Sequence, residues 1–164
     1  MGEIEQRLAE RGLVLPSLFS GPGGMRVPFD LVRINGSVAY VSGHGPMDGD
    51  QQLMSGKLGD ESAGGGLSIE DGYEAARLTG LSMLASLKDA LGDLDRVTGW
   101  LKLLGFVNVA PGFTATPPVI NGVSDLILDL WGERGHHARS AIGVAELPFS
   151  MPVEVEAVVA LDGH

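Results

Sequence analysis

Two segments near the C-terminal end carry residue types that could do chemistry together. One is His137-Ala138-Arg139-Ser140-Ala141-Ile142, the other Val153-Glu154-Val155-Glu156-Ala157. A guanidinium presents two parallel N–H donors that match a carboxylate and stays charged at any usable pH. Both segments read as strands, and as antiparallel neighbours they would bring Arg139 and the glutamates to one site, a pocket for a small carboxylic acid. Glu154 and Glu156 lie two apart and so share a face of their strand. If Arg139 lies beside Glu154, its charge keeps that carboxylate ionised, suited to polarising a water. From the residues alone, a surface arginine pairing Glu146 or Glu154 is the favoured reading of Arg139, and two solvated carboxylates fit the glutamates as well as a site does.

A second group is Tyr40-Val41-Ser42-Gly43-His44. Ser42 ends a β-rich run, where a serine ordinarily bonds nearby backbone. The Gly-x-Ser-x-Gly elbow of a serine hydrolase is missing. His44, beside Ser42-Gly43, is placed to tune a pocket near neutral pH. His44, His136, His137 and His164 form no metal-ligand spacing, so no metal is expected, and the absence of cysteine removes disulfide and thiolate chemistry.

The elements that must position these residues follow from periodicity. Leu31 to Val41 around Asn35-Gly36 predicts a hairpin turning on that dipeptide. Residues 45–66 are rich in Gly, Asp and Ser and predict a mobile loop with one short strand near residues 52–54. Ser68 is placed to cap a long helix with Ile69, Tyr73, Ala76, Leu84, Leu87 and Leu91 on its stripe, Gly80 marking close approach to the sheet and Gly92 ending it. Residues 97–109 are apolar at both parities, as in a strand buried on both faces. After Pro117-Pro118 a second helix turns Val119, Val123, Leu126, Ile127, Leu130 and Trp131 inward and stops at Gly132. Strands over residues 140–145 and 153–161 finish the chain. The order implies an α+β fold with two helices on one face of a sheet. Residues 3–12 fit a short amphipathic helix with a Glu3–Arg7 pair. With the Gly-Pro-rich stretch after it, residues 1–26 read as an appendage to one domain over 27–164.

The 164 residues, 44% of them hydrophobic, suffice for one folded domain with its own core. A net charge of −10 repels polyphosphates and argues against nucleic acid as a partner. No apolar run is long enough to span a membrane and the N-terminal residues are acidic, so a soluble cytoplasmic protein is expected.

Arg139, Leu147-Pro148 and Glu154, with Ser42-Gly43 upstream, resemble the tail and strand motifs of the Rid family (reactive intermediate deaminases, YjgF-like or L-PSP-type proteins) over about residues 29 to 161. The resemblance implies a chorismate-mutase-like two-layer sandwich with a mixed or antiparallel sheet. It also implies a homotrimer whose subunits cover the open sheet face, and a cleft between them. There Arg139 and a backbone N–H near Gly43 would hold the substrate carboxylate. Ser42 or the Ala141 carbonyl would contact the nitrogen end, and Glu154 would align water; Asn121 matches an asparagine that ties helix to backbone. The implied reaction is cofactor-independent hydrolysis of 2-imino or enamino acids to 2-oxo acids and ammonia. The alternative is a non-catalytic sensor of small carboxylates, which Phe29 favours because it stands where deaminases carry a tyrosine. Ribonuclease, attached to the family's older name, fits the acidic composition poorly. His44-Gly45 also departs from the usual residues after Ser-Gly.

Overall fold

A computed structural model describes residues 2–163. Its main sheet contains β1 (Val32–Asn35), β2 (Val38–His44), β5 (Val97–Asn108), β6 (Ala138–Val144) and β7 (Val153–Leu161) in the order β1-β2-β7-β5-β6. A separate two-stranded ribbon pairs β3 (Met47–Asp48) with β4 (Gln51–Gln52). Helices α2 (Ile69–Leu91) and α3 (Thr116–Trp131) pack on each other and on one face of the main sheet, giving the expected α+β two-layer arrangement. All sheet pairings are antiparallel except β5 with β6, which α3 connects as a crossover. Hence β6 and β7 are not the antiparallel neighbours that chain order suggested. β5 lies between them.

The caps explain the helix lengths. Ser68 accepts from the Asp71 N–H while Asp71 accepts from the Ser68 N–H, a reciprocal box at the start of α2, and Gly92 closes it at φ 76°. Gly80 does serve close approach, but of helix to helix: a Cβ there would meet Leu126 and Val123 of α3. The inward residues expected for α3 are buried, and Trp131 meets Trp100 of β5 edge to face at 5.4 Å.

β5 departs from simple alternation. Its register against β7 slips once between Val97 and Gly99 and again between Trp100 and Lys102, each slip adding one unpaired residue. Val97, Trp100 and Leu103 are therefore all buried, while Leu101 is exposed instead of sharing a side with Leu103 and Val107. In the hairpin, Asn35 pairs with Val38, so the turn residues are Gly36-Ser37, one position later than expected. Only one left-handed position is used, at φ 60°, and Gly36 takes it.

Helix α1 (Glu3–Glu10) is no appendage. Ile4 and Leu8 are buried in the common core, Arg7 donates to the Leu130 carbonyl at 2.5 Å, and Arg11 pairs with Asp129. Asp95 caps the helix from a distance, its carboxylate accepting the N–H groups of Glu3 and Ile4. The expected Glu3–Arg7 ion pair is present at 2.5 Å. Residues 13–29 then run as a strap pinned to the ribbon: Asp48 accepts from the Ser17 N–H, and Asp50 accepts from Ser20 and Gly21. Residues 57–67 close on themselves through backbone bonds such as Leu67 N–H to the Lys57 carbonyl, over a fully buried Leu58.

Candidate functional site

A bulge in β2 builds the site. Between Val41 and His44 the strand advances three residues while β7 advances two, from Ala157 to Val155. The extra residue turns His44 to the buried side already occupied by Ala39 and Val41, and leaves Gly43 facing the opposite way. There the Gly43 backbone lies against Glu154, since a Cβ on Gly43 would fall 2.0 Å from Glu154 Oε1. Only glycine leaves that carboxyl its place.

These residues border a cavity of about 320 Å³. One wall is the strap, through Phe19, Met25, Arg26, Val27 and Phe29; another is the connection between β6 and β7, through Pro148, Phe149 and Met151. Phe149 and Ser150 adopt left-handed backbone at φ 56° and 55°, a conformation costing on the order of 1–3 kcal/mol per non-glycine residue. The Gly56 N–H bonds the Ser150 carbonyl and holds this turn, which places the Phe149 ring at the cavity mouth.

The polar lining is small and ordered. His44 Nδ1 lies 2.6 Å from the Ser42 carbonyl, which can only accept, so Nδ1 carries the proton and Nε2 accepts from the Ser86 hydroxyl at 2.8 Å. Burial holds the His44 pKa below its ordinary value, so the ring is neutral and does not supply the near-neutral tuning expected of it. Ser82, one turn earlier on α2, donates to the Met47 carbonyl at 2.8 Å. Glu154 is half-buried and accepts no hydrogen bond among the described residues. Burial and the nearby Glu156 push its pKa up, opposite to the expected ionisation beside an arginine.

Arg139 is elsewhere. It pairs with Leu103 and, across β5, stands level with Ala157, all on the helix-covered side. Glu154 pairs with Phe106 on the open side. Two strand spacings, roughly 10 Å, and three residues of strand, roughly another 10 Å, separate the backbones. The guanidinium is held by α3, donating to Asn121 Oδ1 at 2.9 Å, Ser124 Oγ at 3.0 Å and the Pro117 carbonyl at 3.3 Å. Asn121 thus ties helix to sheet through Arg139. The Ala141 carbonyl accepts from Thr116 Oγ1 at 3.0 Å, and Ser42 Oγ donates to the Asp30 carbonyl at 2.7 Å. Of the expected site residues, Phe29, Gly43, His44 and Glu154 meet at the cavity; Arg139, Asn121, Ala141 and Ser42 do not line it.

Sequence reasoning missed Arg26, Ser86 and Phe149. Ser82 and Ser86, four apart on an otherwise apolar face of α2, were the available signal for a polar floor. Nothing marked Arg26, in a Gly-Pro stretch, or Phe149, at a backbone position normally reserved for glycine. His164 lies outside the described residues, and the other histidines form no cluster among them. Glu5, Asp93 and Asp95 do approach one another, but their oxygens cap α1, accept local backbone N–H groups and pair with Lys88. No helix among the described residues is long and apolar enough to cross a membrane.

Comparison with known proteins gives this geometry its context. A family model described as "YjgF/chorismate mutase-like, putative endoribonuclease" matches residues 5–161. Protein TCP17 of Trypanosoma cruzi is 40% identical over 162 residues, covering 98% of this chain and 96% of that protein. The crystal structure of Atu1372 from Agrobacterium tumefaciens superposes with TM-score 0.83 at 37% identity, covering 98% of this chain and 92% of that one. That of a putative endoribonuclease from Shewanella oneidensis MR-1 gives 0.86 at 31% identity, covering 98% and 100%. The bulged Ser-Gly strand, the mixed sheet under two helices and matches along nearly the whole chain have one reading: this protein belongs to the YjgF/chorismate mutase-like family.

Proposed function

We propose that the cavity hydrolyses reactive 2-imino or enamino acids to 2-oxo acids and ammonia, without a cofactor. The observation that carries this reading is Glu154, a half-buried carboxyl with raised pKa and no hydrogen-bond partner among the described residues, aimed at the Gly43 backbone. A protonated C=N carbon is already electrophilic, so orientation and one proton-handling group suffice. Glu154 takes a proton from water as its oxygen bonds to the imine carbon, giving a carbinolamine. The same carboxyl returns the proton to nitrogen, then takes the hydroxyl proton as the C–N bond breaks and the carbonyl forms, and passes it to the departing ammonia, which leaves as ammonium. A pKa nearer neutrality makes both transfers easier than for an ordinary glutamate.

The cavity volume lies at the lower end of small-molecule sites, roughly 300–1,000 Å³. A net charge of −10 also favours a small acid over an RNA strand as ligand. Tyr40, Leu101 and Ile142 are exposed, as expected of an apolar face awaiting a partner. We include in the proposal that copies associate, as a homotrimer, over the open sheet face that carries Glu154, making the cavity a cleft between subunits. The cytoplasmic location expected from the sequence belongs to the proposal too.

The test generates imino acid in place with an amino-acid oxidase, traps it with semicarbazide, and compares wild type with Glu154→Gln. Faster imine loss with wild type and none with Glu154→Gln is the expected result. Binding of 2-oxo acids in calorimetry with imine decay unchanged would replace the enzyme with a carboxylate sensor.

A further inference from the structure

His44 meets a serine, but not the one beside it in sequence. Ser42 Oγ donates to the Asp30 carbonyl, while the imidazole lies against Ser86 of α2. Valence fixes the direction of this chain of bonds. The Ser42 carbonyl can only accept, so His44 Nδ1 carries the proton, Nε2 presents a lone pair, and the Ser86 hydroxyl donates to it at 2.8 Å. Neighbouring hydroxyls of α2 are spent on backbone: Thr79 donates to the Ala75 carbonyl and Ser82 to the Met47 carbonyl, each at 2.8 Å. Ser86 makes no hydrogen bond among the described residues except the one to His44. Both residues line the cavity.

We propose that Ser86 is a nucleophile with His44 as its general base, and that the cavity hydrolyses small apolar esters with weakly basic leaving groups. This activity is separate from the imine chemistry, and Glu154 takes no part in it. Ser86 Oγ bonds to the acyl carbon as its proton passes to His44 Nε2. The ester C–O bond then breaks and that proton goes to the departing oxygen, leaving an acyl-Ser86. Water adds to the same carbon, giving a proton to Nε2. The acyl–Oγ bond breaks, the proton returns to Oγ, and a carboxylic acid leaves. A backbone carbonyl orients His44 where a hydrolase triad has a carboxylate, so the imidazolium is less stabilised and the leaving group must depart with little help. Aryl esters meet that condition and alkyl esters do not. Phe19, Met25, Phe29, Phe149 and Met151 make the walls apolar, and about 320 Å³ accommodates a short acyl chain.

Two probes test this: diisopropyl fluorophosphate, whose serine adduct does not turn over, and p-nitrophenyl butyrate, with ethyl butyrate as the alkyl comparison. Tandem mass spectrometry of wild type should place the phosphoryl group on Ser86, and p-nitrophenyl butyrate should be hydrolysed far faster than ethyl butyrate. His44→Gln should slow both labelling and hydrolysis by about 100-fold or more, the usual contribution of a general base. Ser86→Cys keeps a donor toward Nε2 and introduces the chain's only thiol, which should gain a butyryl group from the aryl ester. An unlabelled Ser86 in wild type, an adduct on Ser82 in its place, labelling unchanged in a folded His44→Gln, or an inert thiol in a folded Ser86→Cys would each overturn the proposal.

Discussion

Gly43→Ala separates the site from the fold. The added Cβ would sit 2.0 Å from Glu154 Oε1, 3.0 Å from Cδ and 3.3 Å from Cγ, where ordinary contact begins at 3.4 Å. The carboxyl must therefore retreat by more than about 1 Å, and a displacement of that size at a reacting group costs about 100-fold in rate. The obstructing atoms are the far end of a flexible side chain, and Gly43 is not in the left-handed region. The fold should lose only about 0.5–1.5 kcal/mol, the cost of an off-rotamer side chain. Gly122→Ala is the contrast: its Cβ would lie 2.0 Å from the Tyr73 backbone carbonyl, so α2 and α3 must separate, at about 1–3 kcal/mol or more. Imine decay under semicarbazide trapping and urea midpoints measure both effects. Full activity in Gly43→Ala, or a stability loss matching that of Gly122→Ala, would refute the placement of Glu154 as the proton-handling group.

Four further outcomes follow from the same geometry. Because Glu154 is raised in the fold, its favourable contribution is complete below the unfolded carboxyl value and lost as pH climbs through the folded one. Glu154→Gln should therefore be more stable than wild type at pH 8 and equal to it near pH 4, in thermal melts across that range. Ser86→Ala strips His44 Nε2 of its donor inside the core and should cost about 1–3 kcal/mol in urea unfolding. His44 itself, held below its unfolded value, contributes stability above pH about 6.5 that is lost as pH falls further, so the wild-type midpoint should drop on acidification. Ile4→Ala should cost about 2–4 kcal/mol, and a near-zero effect would return α1 to the status of an appendage.

What could be read from residues alone was whatever local chemistry decides. The Ser68 cap, the Gly92 stop, the buried stripe of α3 and the span of β7 depend on neighbours in sequence, and each is observed where expected. Strand order is different. That β5 separates β6 from β7 follows from a crossover through α3, and no pattern in Arg139 or Glu154 records which strand lies between them. The bulges were hidden for a similar reason: Thr98 and Leu101 look like ordinary strand residues, and only the partner strand reveals that they are unpaired. Glycine-rich composition hid the strap as well, since Asp48 and Asp50 that fix it lie about thirty positions downstream. Gly43, His44 and Glu154, marked by the Ser-Gly strand and the glutamate tail, do line the cavity, as does Phe29, which the family resemblance named; the cavity's cation and its strained phenylalanine came from segments with no such mark.

The single extra residue in β2 couples the packing beneath α2 to the wall of the cavity. Because His44 enters the helix layer one position after Gly43 abuts the carboxyl, any repacking beneath α2 that slides the strand also re-aims Glu154. Directed evolution toward a sturdier core at this end of the molecule should therefore find gains in thermal resistance arriving together with losses in turnover.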